Sequence, residues 1–137
     1  KTGEEAFHVS DSNDTGRGLM ANIGMGGYYQ MSSNAGTYVA YGNNVFKKVN
    51  ASMGQNFRIF WDGDLYDEEL DGLTITSWNG AGRSTIFKAD GCTSINSTKA
   101  NPALQADIFG DWREEVIYPL TTNLTQPANF GITPLSI

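Results

Sequence analysis

Cysteine and histidine are nearly missing from this sequence. Its 137 residues include one cysteine, Cys92, and one histidine, His8. A single cysteine cannot form a disulfide within the chain or build a cysteine-based zinc site. A single histidine excludes a metal site made of several histidines. Long apolar runs are also missing, and none approaches the roughly 20 residues of a membrane-spanning helix, so no membrane partner is expected.

Positive charge is scarce as well. The chain has 9 lysines and arginines against 15 acids, which gives a net charge of −6. Nucleic acid is therefore not an expected partner, because phosphate binding needs a basic surface. The acids gather with glycines in loop-like clusters at 11–14, 62–71 and 107–115. Such clusters are typical of sites for hard cations, and equally of a solvated acidic surface.

The apolar runs that are present are short and end at glycine or asparagine, and helical periodicity is nearly absent. This pattern predicts an all-β chain of short antiparallel strands. Two hairpins are expected, one turning at 42–44 and one at 79–82. Residues 119–137 are expected to form a loop or a weakly ordered tail. The predicted strands are 37–41, 45–49, 56–61, 73–78, 84–88, 103–109 and 115–118.

An internal repeat accompanies these strands. The stretch from Gly63 to Glu69 resembles the stretch from Gly110 to Glu115, and each reads Gly-Asp, then Glu, then an apolar residue. The two glycines are 47 residues apart, and Gly16 lies another 47 residues upstream as a weaker match. This period is close to the ~40–50 residues of a four-stranded β-propeller blade. About three blades fit in the chain, too few for a ring of about 4–8, so either more protein completes the ring or the propeller prediction is wrong.

Three segments carry a resemblance to a known family. They are Gly16–Leu19 (GRGL), residues 56–65 (NFRIFWDGDL) continuing to 69–71 (ELD), and residues 91–99 (GCTSINSTK) followed by 102–117 (PALQADIFGDWREEVI). In order and spacing this sequence resembles the rhamnogalacturonan lyases of polysaccharide lyase family eleven. The resemblance extends roughly from Gly3 to Tyr118, so 1–118 is expected to be one part of a larger domain.

The resemblance implies an eight-bladed β-propeller of antiparallel four-stranded sheets with calcium-binding loops. More than half of that ring lies outside this chain, so the remaining blades of the same protein are expected partners. The implied activity is β-elimination at galacturonate in the rhamnogalacturonan I backbone of pectin. A secreted, extracellular protein with calcium as its cofactor is expected.

The resemblance also implies a site. Arg17 and Lys99 fall at positions that line the family's substrate cleft. An arginine fork suits a galacturonate carboxylate, and a lysine can act as a base when a neighbouring positive charge lowers its pKa. The hypothesis is that Arg17 binds the galacturonate carboxylate and Lys99 acts as the base, and the two roles could be exchanged. The alternative is that both residues are surface cations in loops without a catalytic role. The expected substrate-binding residues are Asn96, Thr98 and Gly18.

Six acids are the calcium candidates of the resemblance. Calcium takes 6–8 oxygens, often including backbone carbonyls that glycine-rich turns offer. The alternative is that these acids cap turns or pair with Arg113. The three tryptophans, Trp61, Trp78 and Trp112, are expected to pack in the core. The calcium candidates are Asp62, Asp64 and Glu69 in one blade and Asp107, Asp111 and Glu115 in the next.

The chain also departs from the family pattern near Arg17. The family has two acids before the Gly-Arg-Gly run where this chain has 11–14 (DSND), and an Asp-Ile-Asp turn where it has 22–24 (NIG). An acid expected in the following strand is replaced within 28–30 (YYQ), and a family glycine is Ser97. These changes predict a lost calcium site in that blade. They keep three alternatives open: an enzyme, a pectin-binding propeller without catalysis, and a purely structural propeller segment.

Overall fold

The computed structural model describes residues 2–11, 13–26, 28–121 and 130–131, the last pair by its backbone. This part of the chain is all-β and antiparallel, with one short 3-10 turn at Ser97–Lys99. None of its helices has the length and apolar character to cross a lipid bilayer. The strands are β1 Gly18–Ala21, β2 Tyr29–Ser33, β3 Gly36–Ala40, β4 Phe46–Val49, β5 Phe57–Ile59, β6 Glu68–Asp71, β7 Thr74–Trp78, β8 Arg83–Lys88, β9 Leu104–Ala106, β10 Glu115–Pro119 and β11 Phe130–Gly131.

The strands form three sheets in chain order. The first sheet has the order β1-β2-β3-β4, the second β5-β6-β7-β8, and the third β11-β10-β9. Every neighbouring pair is antiparallel, as expected for strands joined by tight turns. The two predicted hairpins are confirmed as β3–β4 and β7–β8. At the first of these turns Gly42, Asn43 and Asn44 all have positive φ, the conformation that glycine and asparagine adopt most readily.

Four strands were not predicted by the local sequence pattern: β1, β2, β6 and β11. Strand β6 looks like an acidic loop, yet it pairs with β5 on one side and with β7 on the other. Strand β11 lies within the predicted tail, where Phe130 pairs with Pro119 at the end of β10 and Gly131 pairs with Tyr118. The free edge of β10 gives these residues backbone partners that a local sequence pattern cannot reveal. The rest of the predicted tail, 122–129 and 132–137, lies outside the described residues.

Two apolar clusters lie under the sheets. One joins the second and third sheets through Ile59, Leu70, Ile75, Ala89, Val116 and Tyr118, and the other contains Ala21, Ile23 and Met53. The Tyr118 hydroxyl donates a hydrogen bond of 2.7 Å to the Gly72 carbonyl, which ties β10 to the turn of the second sheet. Burial raises the pKa of this phenol to about 12, so it stays a donor at neutral pH.

Strand register defines which positions are equivalent in the three sheets. Ala21 pairs with Gln30, Ile59 with Glu68, and Ala106 with Glu115. The second and third sheets are therefore 47 residues apart, as the sequence repeat predicted, whereas the first and second are 38 apart. Gly16 is thus not the equivalent of Gly63, which corrects the weakest part of that repeat. The longer spacing arises because the connection at 89–103 is longer than that at 50–56.

Neighbouring sheets are joined by the same reciprocal pair of hydrogen bonds. The Asp67 N–H donates to the Asn22 carbonyl at 2.8 Å, and the Asn22 N–H donates to Asp67 Oδ2 at 2.7 Å. One sheet further, the Glu114 N–H donates to the Phe60 carbonyl at 3.0 Å, and the Phe60 N–H donates to Glu114 Oε2 at 2.9 Å. The third sheet is therefore bonded to the second in the way that the second is bonded to the first. We call each such pair a seam.

A side chain from the first strand of each sheet supports the acid of the seam. Arg58 Nη1 lies 2.9 Å from Asp67 Oδ1, and Gln105 Nε2 lies 3.3 Å from Glu114 Oε2. Arg58 and Gln105 are 47 residues apart, so they are equivalent by the repeat. The repeat thus extends from strand order to individual side-chain contacts.

Candidate functional site

The loop at 95–101 is a closed turn with an unusual backbone. Ile95 and Asn101 close its base by exchanging two backbone hydrogen bonds of 2.8 and 3.0 Å. Inside the loop Asn96, Ser97 and Ala100 have φ values of 62°, 49° and 53°, although none is glycine. A left-handed conformation costs non-glycine residues roughly 1–2 kcal/mol each, so the surroundings must stabilise this turn.

Side chains from the first and second sheets hold the carbonyls of this loop. Arg17 Nη2 donates to the Thr98 carbonyl at 2.5 Å. Asn56 Nδ2 donates to the Lys99 carbonyl at 3.0 Å and lies 3.4 Å from the Ala100 carbonyl. Arg17 precedes β1 and Asn56 precedes β5, so the loop before β9 meets the entry points of the other two sheets.

An open cavity of 280 Å³ lies at this meeting point. It is lined by Gly16, Arg17, Asn34, Gln55 and Lys99. The structure thus brings Arg17 and Lys99 to one cavity, although 81 residues separate Arg17 from its contact at Thr98. We call this space the Arg17–Lys99 cavity.

The other predicted substrate-binding residues lie beside the cavity rather than on its wall. Gly18 begins β1, Asn96 precedes the 3-10 turn, and the Thr98 carbonyl is occupied by Arg17. Two wall residues were missed by sequence reasoning, Asn34 and Gln55. No local pattern marks them, because each reaches the cavity only through the contact between sheets.

A group of three carboxylates lies at the opposite end of the first strands. The ligand atoms of Asp62, Asp64 and Glu68 all lie within 4.8 Å of one another. We call this group the acidic trio. Glu68 Oε2 accepts the N–H groups of Trp61 at 2.7 Å and Asp62 at 3.4 Å, so the glutamate also fixes the loop after β5.

The electrostatics of the acidic trio favour a bound cation. Glu68 is 1% exposed. Its burial, together with the charges of Asp62 and Asp64 and against the hydrogen bonds from Trp61 and Asp62, raises its pKa to about 7. Several carboxylate oxygens gathered beside glycine-rich backbone suit a hard divalent ion such as calcium.

Glu69, the glutamate assigned to this metal site by sequence, lies elsewhere. It is buried, forms a 2.9 Å ion pair with Arg83 and accepts the N–H of Gly54. Burial raises the pKa of Glu69, while the charge of Arg83 opposes that rise. Successive residues of a strand point to opposite faces, so only one of the two adjacent glutamates can reach Asp62 and Asp64. The group of neighbouring carboxylates therefore contains Glu68, and the predicted Glu69 lies outside it.

The acids of the third sheet cap their own loop. Asp107 Oδ1 accepts the N–H groups of Gly110 and Asp111 at 2.7 and 3.0 Å. Glu115 Oε2 accepts the Ile108 N–H at 2.8 Å, the bond that Glu68 makes in the second sheet. Among the described residues the acidic trio is the one group close enough to share a metal ion. The predicted set Asp107, Asp111 and Glu115 therefore shows the turn-capping arrangement that the sequence left as the alternative.

The first sheet makes the same loop contact without charge. Gln30, fully buried, accepts the Ile23 N–H at 2.8 Å through Oε1. Strand register makes Gln30 the equivalent of Glu68, and Gly24 and Gly26 then stand where Asp62 and Asp64 stand. This loop therefore has an amide and two glycines in place of three carboxylates.

The tryptophans divide between core and surface. Trp61 and Trp78 pack against the two apolar clusters, as predicted. Trp112 is 55% exposed, which corrects its assignment to the core. Its ring lies 3.0 Å from the position that a Cβ on Gly63 would occupy, and the Arg113 guanidinium lies 4.9 Å from its centroid. Trp112 thus covers the backbone of the neighbouring loop at the end of the sheets that carries the acidic trio.

The all-β fold of antiparallel sheets is similar to that of known rhamnogalacturonan lyases. The model of the rhamnogalacturonan lyase family 11 C-terminal domain matches residues 1–126. The chain belongs to this family.

Individual relatives agree with this assignment. The chain is 40% identical over 121 residues to rhamnogalacturonan endolyase YesW of Bacillus subtilis strain 168, covering 85% of this chain and 19% of the relative. It is 37% identical over 137 residues to rhamnogalacturonan exolyase YesX of the same strain, covering 85% of this chain and 22% of the relative. The chain therefore spans about a fifth of the length of these relatives.

Solved structures give the same result. The chain matches the Bacillus licheniformis rhamnogalacturonan lyase PL11 with a TM-score of 0.77 and 38% identity, covering 88% of this chain and 21% of that one. It matches the crystal structure of rhamnogalacturonan lyase YesW with a TM-score of 0.76 and 36% identity, over 88% and 21% of the two chains. The all-β, antiparallel fold is thus shared with these lyases.

Proposed function

We propose that this chain forms part of the catalytic cleft of a longer, secreted rhamnogalacturonan lyase. The observation that carries the proposal is the cavity shared by Arg17 and Lys99. The substrate is the rhamnogalacturonan I backbone of pectin, and the reaction is β-elimination at galacturonate.

Arg17 binds the galacturonate carboxylate in this proposal. Neutralising that carboxylate makes the proton on the adjacent C5 more acidic. A guanidinium has five N–H donors, so the bond from Nη2 to the Thr98 carbonyl leaves donors for the substrate. The same bond orients the guanidinium, which favours a fork-like contact with two carboxylate oxygens.

Lys99 acts as the base. Its amine takes the C5 proton, the C5–H electron pair forms the C4–C5 double bond, and the bond from C4 to the leaving oxygen breaks. The leaving oxygen keeps that electron pair and takes up a proton. No water is consumed, and the product carries an unsaturated uronate.

The amides of the cavity wall contribute substrate binding. Asn34 and Gln55 offer both donors and acceptors, which suit the hydroxyls of a sugar ring. Asn96, Thr98 and Gly18 stay proposed substrate-binding residues at the rim, where the backbone of Gly18 leaves room for a ring to approach.

The acidic trio is proposed to hold calcium. The ion would stabilise the loop after β5 by neutralising three carboxylates, one of them buried. Gln55, before β5, lies beside Arg17, whereas the loop after β5 meets Asn22 at the other end of β1. The proposed ion is therefore remote from Lys99, and no step of the elimination is assigned to it.

The seams support a propeller as the arrangement of the complete protein. Three successive sheets joined by two seams of the same kind are what a rotational repeat requires. Further sheets of the same protein would then complete a ring of eight.

The experiment is an absorbance assay for unsaturated product, with rhamnogalacturonan I and the full-length protein that contains this chain. We expect product formation, and loss of at least about 100-fold in kcat in Lys99→Ala, as for removal of a general base. Arg17→Ala should weaken substrate binding and turnover together. Full turnover by Lys99→Ala would contradict its assigned role.

A binding-only propeller is the second candidate. The uncharged loop at Gly24, Gly26 and Gln30 favours it, because that sheet has diverged from the acidic pattern of its neighbour. Binding of rhamnogalacturonan I without any unsaturated product, in the full-length protein supplied with calcium, would select this candidate.

A further inference from the structure

We propose that Asn56 is the positioning residue for Lys99, an inference that rests on the proposed lyase function. Asn56 does not line the Arg17–Lys99 cavity. Its side chain instead donates to the carbonyl of Lys99 at 3.0 Å and reaches that of Ala100 at 3.4 Å. It therefore acts on the backbone that carries the base.

The orientation of the Asn56 amide is fixed by Asp71. Asn56 Nδ2 lies 3.2 Å from Asp71 Oδ1, and an ionised carboxylate only accepts hydrogen bonds. The amide nitrogen, and not its oxygen, must then face both Asp71 and the two loop carbonyls. Asn56 thus presents its amide donors to the carbonyls of Lys99 and Ala100.

Asn56 also stands on a rigid base. It directly precedes β5, whose residues Phe57 and Ile59 pair with Leu70 and Glu68 of β6. Ile59 and Leu70 are buried in the apolar cluster of the second sheet. A side chain mounted on such a strand holds its partner more accurately than one mounted on a loop.

The loop needs this support because its backbone is strained. Asn96, Ser97 and Ala100 are left-handed, and they lie on both sides of Lys99. The bonds at Ile95 and Asn101 close the base of the loop, and inside it the N–H groups of Lys99 and Ala100 donate to the carbonyls of Asn96 and Ser97, both at 3.0 Å. Arg17 and Asn56 hold the three consecutive carbonyls of the tip, so removing Asn56 takes away the donor that fixes the carbonyls of Lys99 and Ala100.

The expected effect falls on turnover. A displacement of about 1 Å of a reacting group can lower a rate about 100-fold. In the full-length enzyme Asn56→Ala should therefore reduce kcat by about 10- to 100-fold. KM should change by less than about threefold, because Arg17 still binds the carboxylate and water can solvate the two freed carbonyls.

The experiment compares Asn56→Ala and Asn56→Asp with a matched control, Asn79→Ala, by kcat, KM and melting temperature on rhamnogalacturonan I. Asn56→Asp keeps the shape and removes the donors, so it should lose kcat at least as strongly as Asn56→Ala. The Asn79 side chain accepts the N–H groups of Ala81 and Gly82 and donates to Ser84, all within its own turn. Asn79→Ala should lower the melting temperature and leave kcat unchanged.

The outcomes separate the two proposals. A full-length protein without lyase activity, or an active Lys99→Ala variant, would overturn the proposed function. An active enzyme that needs Lys99 but keeps its kcat in both Asn56 variants would overturn the positioning role alone. So would a loss of kcat that merely follows the melting temperature, as judged by an equal loss in Asn79→Ala.

Discussion

Asp67 and Asn22 bond to each other twice, once through each backbone N–H, and so join two sheets that share no strand pairing. Glu114 and Phe60 repeat the arrangement one sheet later. In the second and third sheets, an acid just before the second strand thus bonds the residue that follows the first strand of the preceding sheet. Contacts between sheets are in this respect local, as in other repeat proteins.

The seam leads to a prediction for Asp67→Ala. This residue is 5% exposed, and its carboxylate bonds both the Asn22 N–H and Arg58. Losing charge-assisted bonds at a buried position should lower the free energy of unfolding by roughly 2–3 kcal/mol. Urea denaturation of the full-length protein measures this change.

The matched control for Asp67→Ala is Asp90→Ala. Asp90 also forms a 2.9 Å ion pair, with Lys88, but its side chain is 80% exposed. Surface pairs contribute about 0–1 kcal/mol, so this change should have little effect. Equal effects of the two substitutions would contradict the importance of the seam.

The choice between the adjacent glutamates can be tested with Glu68→Gln and Glu69→Gln. Glu68→Gln should abolish a rise in melting temperature on adding calcium, yet stay folded without calcium, because Gln30 makes the equivalent contact as an amide. Glu69→Gln should lower stability with and without calcium, since it leaves Arg83 without its buried partner. A calcium response that survives Glu68→Gln would exclude the acidic trio as the ion site.

The raised pKa of Glu68, about 7, predicts how stability depends on pH when a chelator is present. Between its ordinary value of 4.5 and about 7 the folded state holds a proton that the unfolded state has released. The free energy of unfolding should therefore fall as pH rises through this range. Melting curves at stepped pH would show this slope, and Glu68→Gln should reduce it, leaving the part that comes from the raised pKa of Glu69.

Ser97 offers a test of strain in the loop that carries Lys99. Its φ is 49°, a value that glycine adopts freely. Ser97→Gly should stabilise the protein by up to about 1 kcal/mol, the difference between relieved strain and the added freedom of the unfolded chain. Ser94→Gly, nearby but outside the left-handed positions, should destabilise it by about 0.5–1 kcal/mol. Thermal melts of both variants and of the unchanged protein show whether each substitution raises or lowers stability.

Much of the β-structure could be predicted from local sequence, and the exceptions are strands whose pairing partners the local sequence does not show. The hairpin between β3 and β4 is marked by Gly42-Asn43-Asn44, whose backbone preferences define a turn. Strand β6 was missed because its sequence, EELD, has the composition of a loop, and its pairing comes from neighbours on both sides. The sequence of a strand does not show which other strands will pair with it.

The acidic trio was predictable in composition but not in its third member. The repeat spacing of 47, applied residue by residue, pairs Glu115 with Glu68 and would have selected Glu68. The first sheet could not be aligned in that way, since its loop has lost the acids and its spacing to the second is 38. The cavity residues Asn34 and Gln55 carry no local signal at all, because the cavity exists only where three separate segments meet.

Gln30 is an internal control for Glu68, because it makes the equivalent loop contact with a group that does not titrate. An amide neither takes up a proton between pH 4 and 8 nor needs a counter-ion, so the loop that it fixes should be indifferent to acid and to chelators alike. Glu68 fixes the corresponding loop of the next sheet with a group whose pKa is raised to about 7, and which would also respond to chelators if it binds calcium as proposed. Two equivalent supporting hydrogen bonds thus lie in neighbouring sheets of one polypeptide, and only the one made by Glu68 has an acceptor that titrates near neutral pH. Amide hydrogen exchange at Ile23 and Trp61 would report the two behaviours in the same sample.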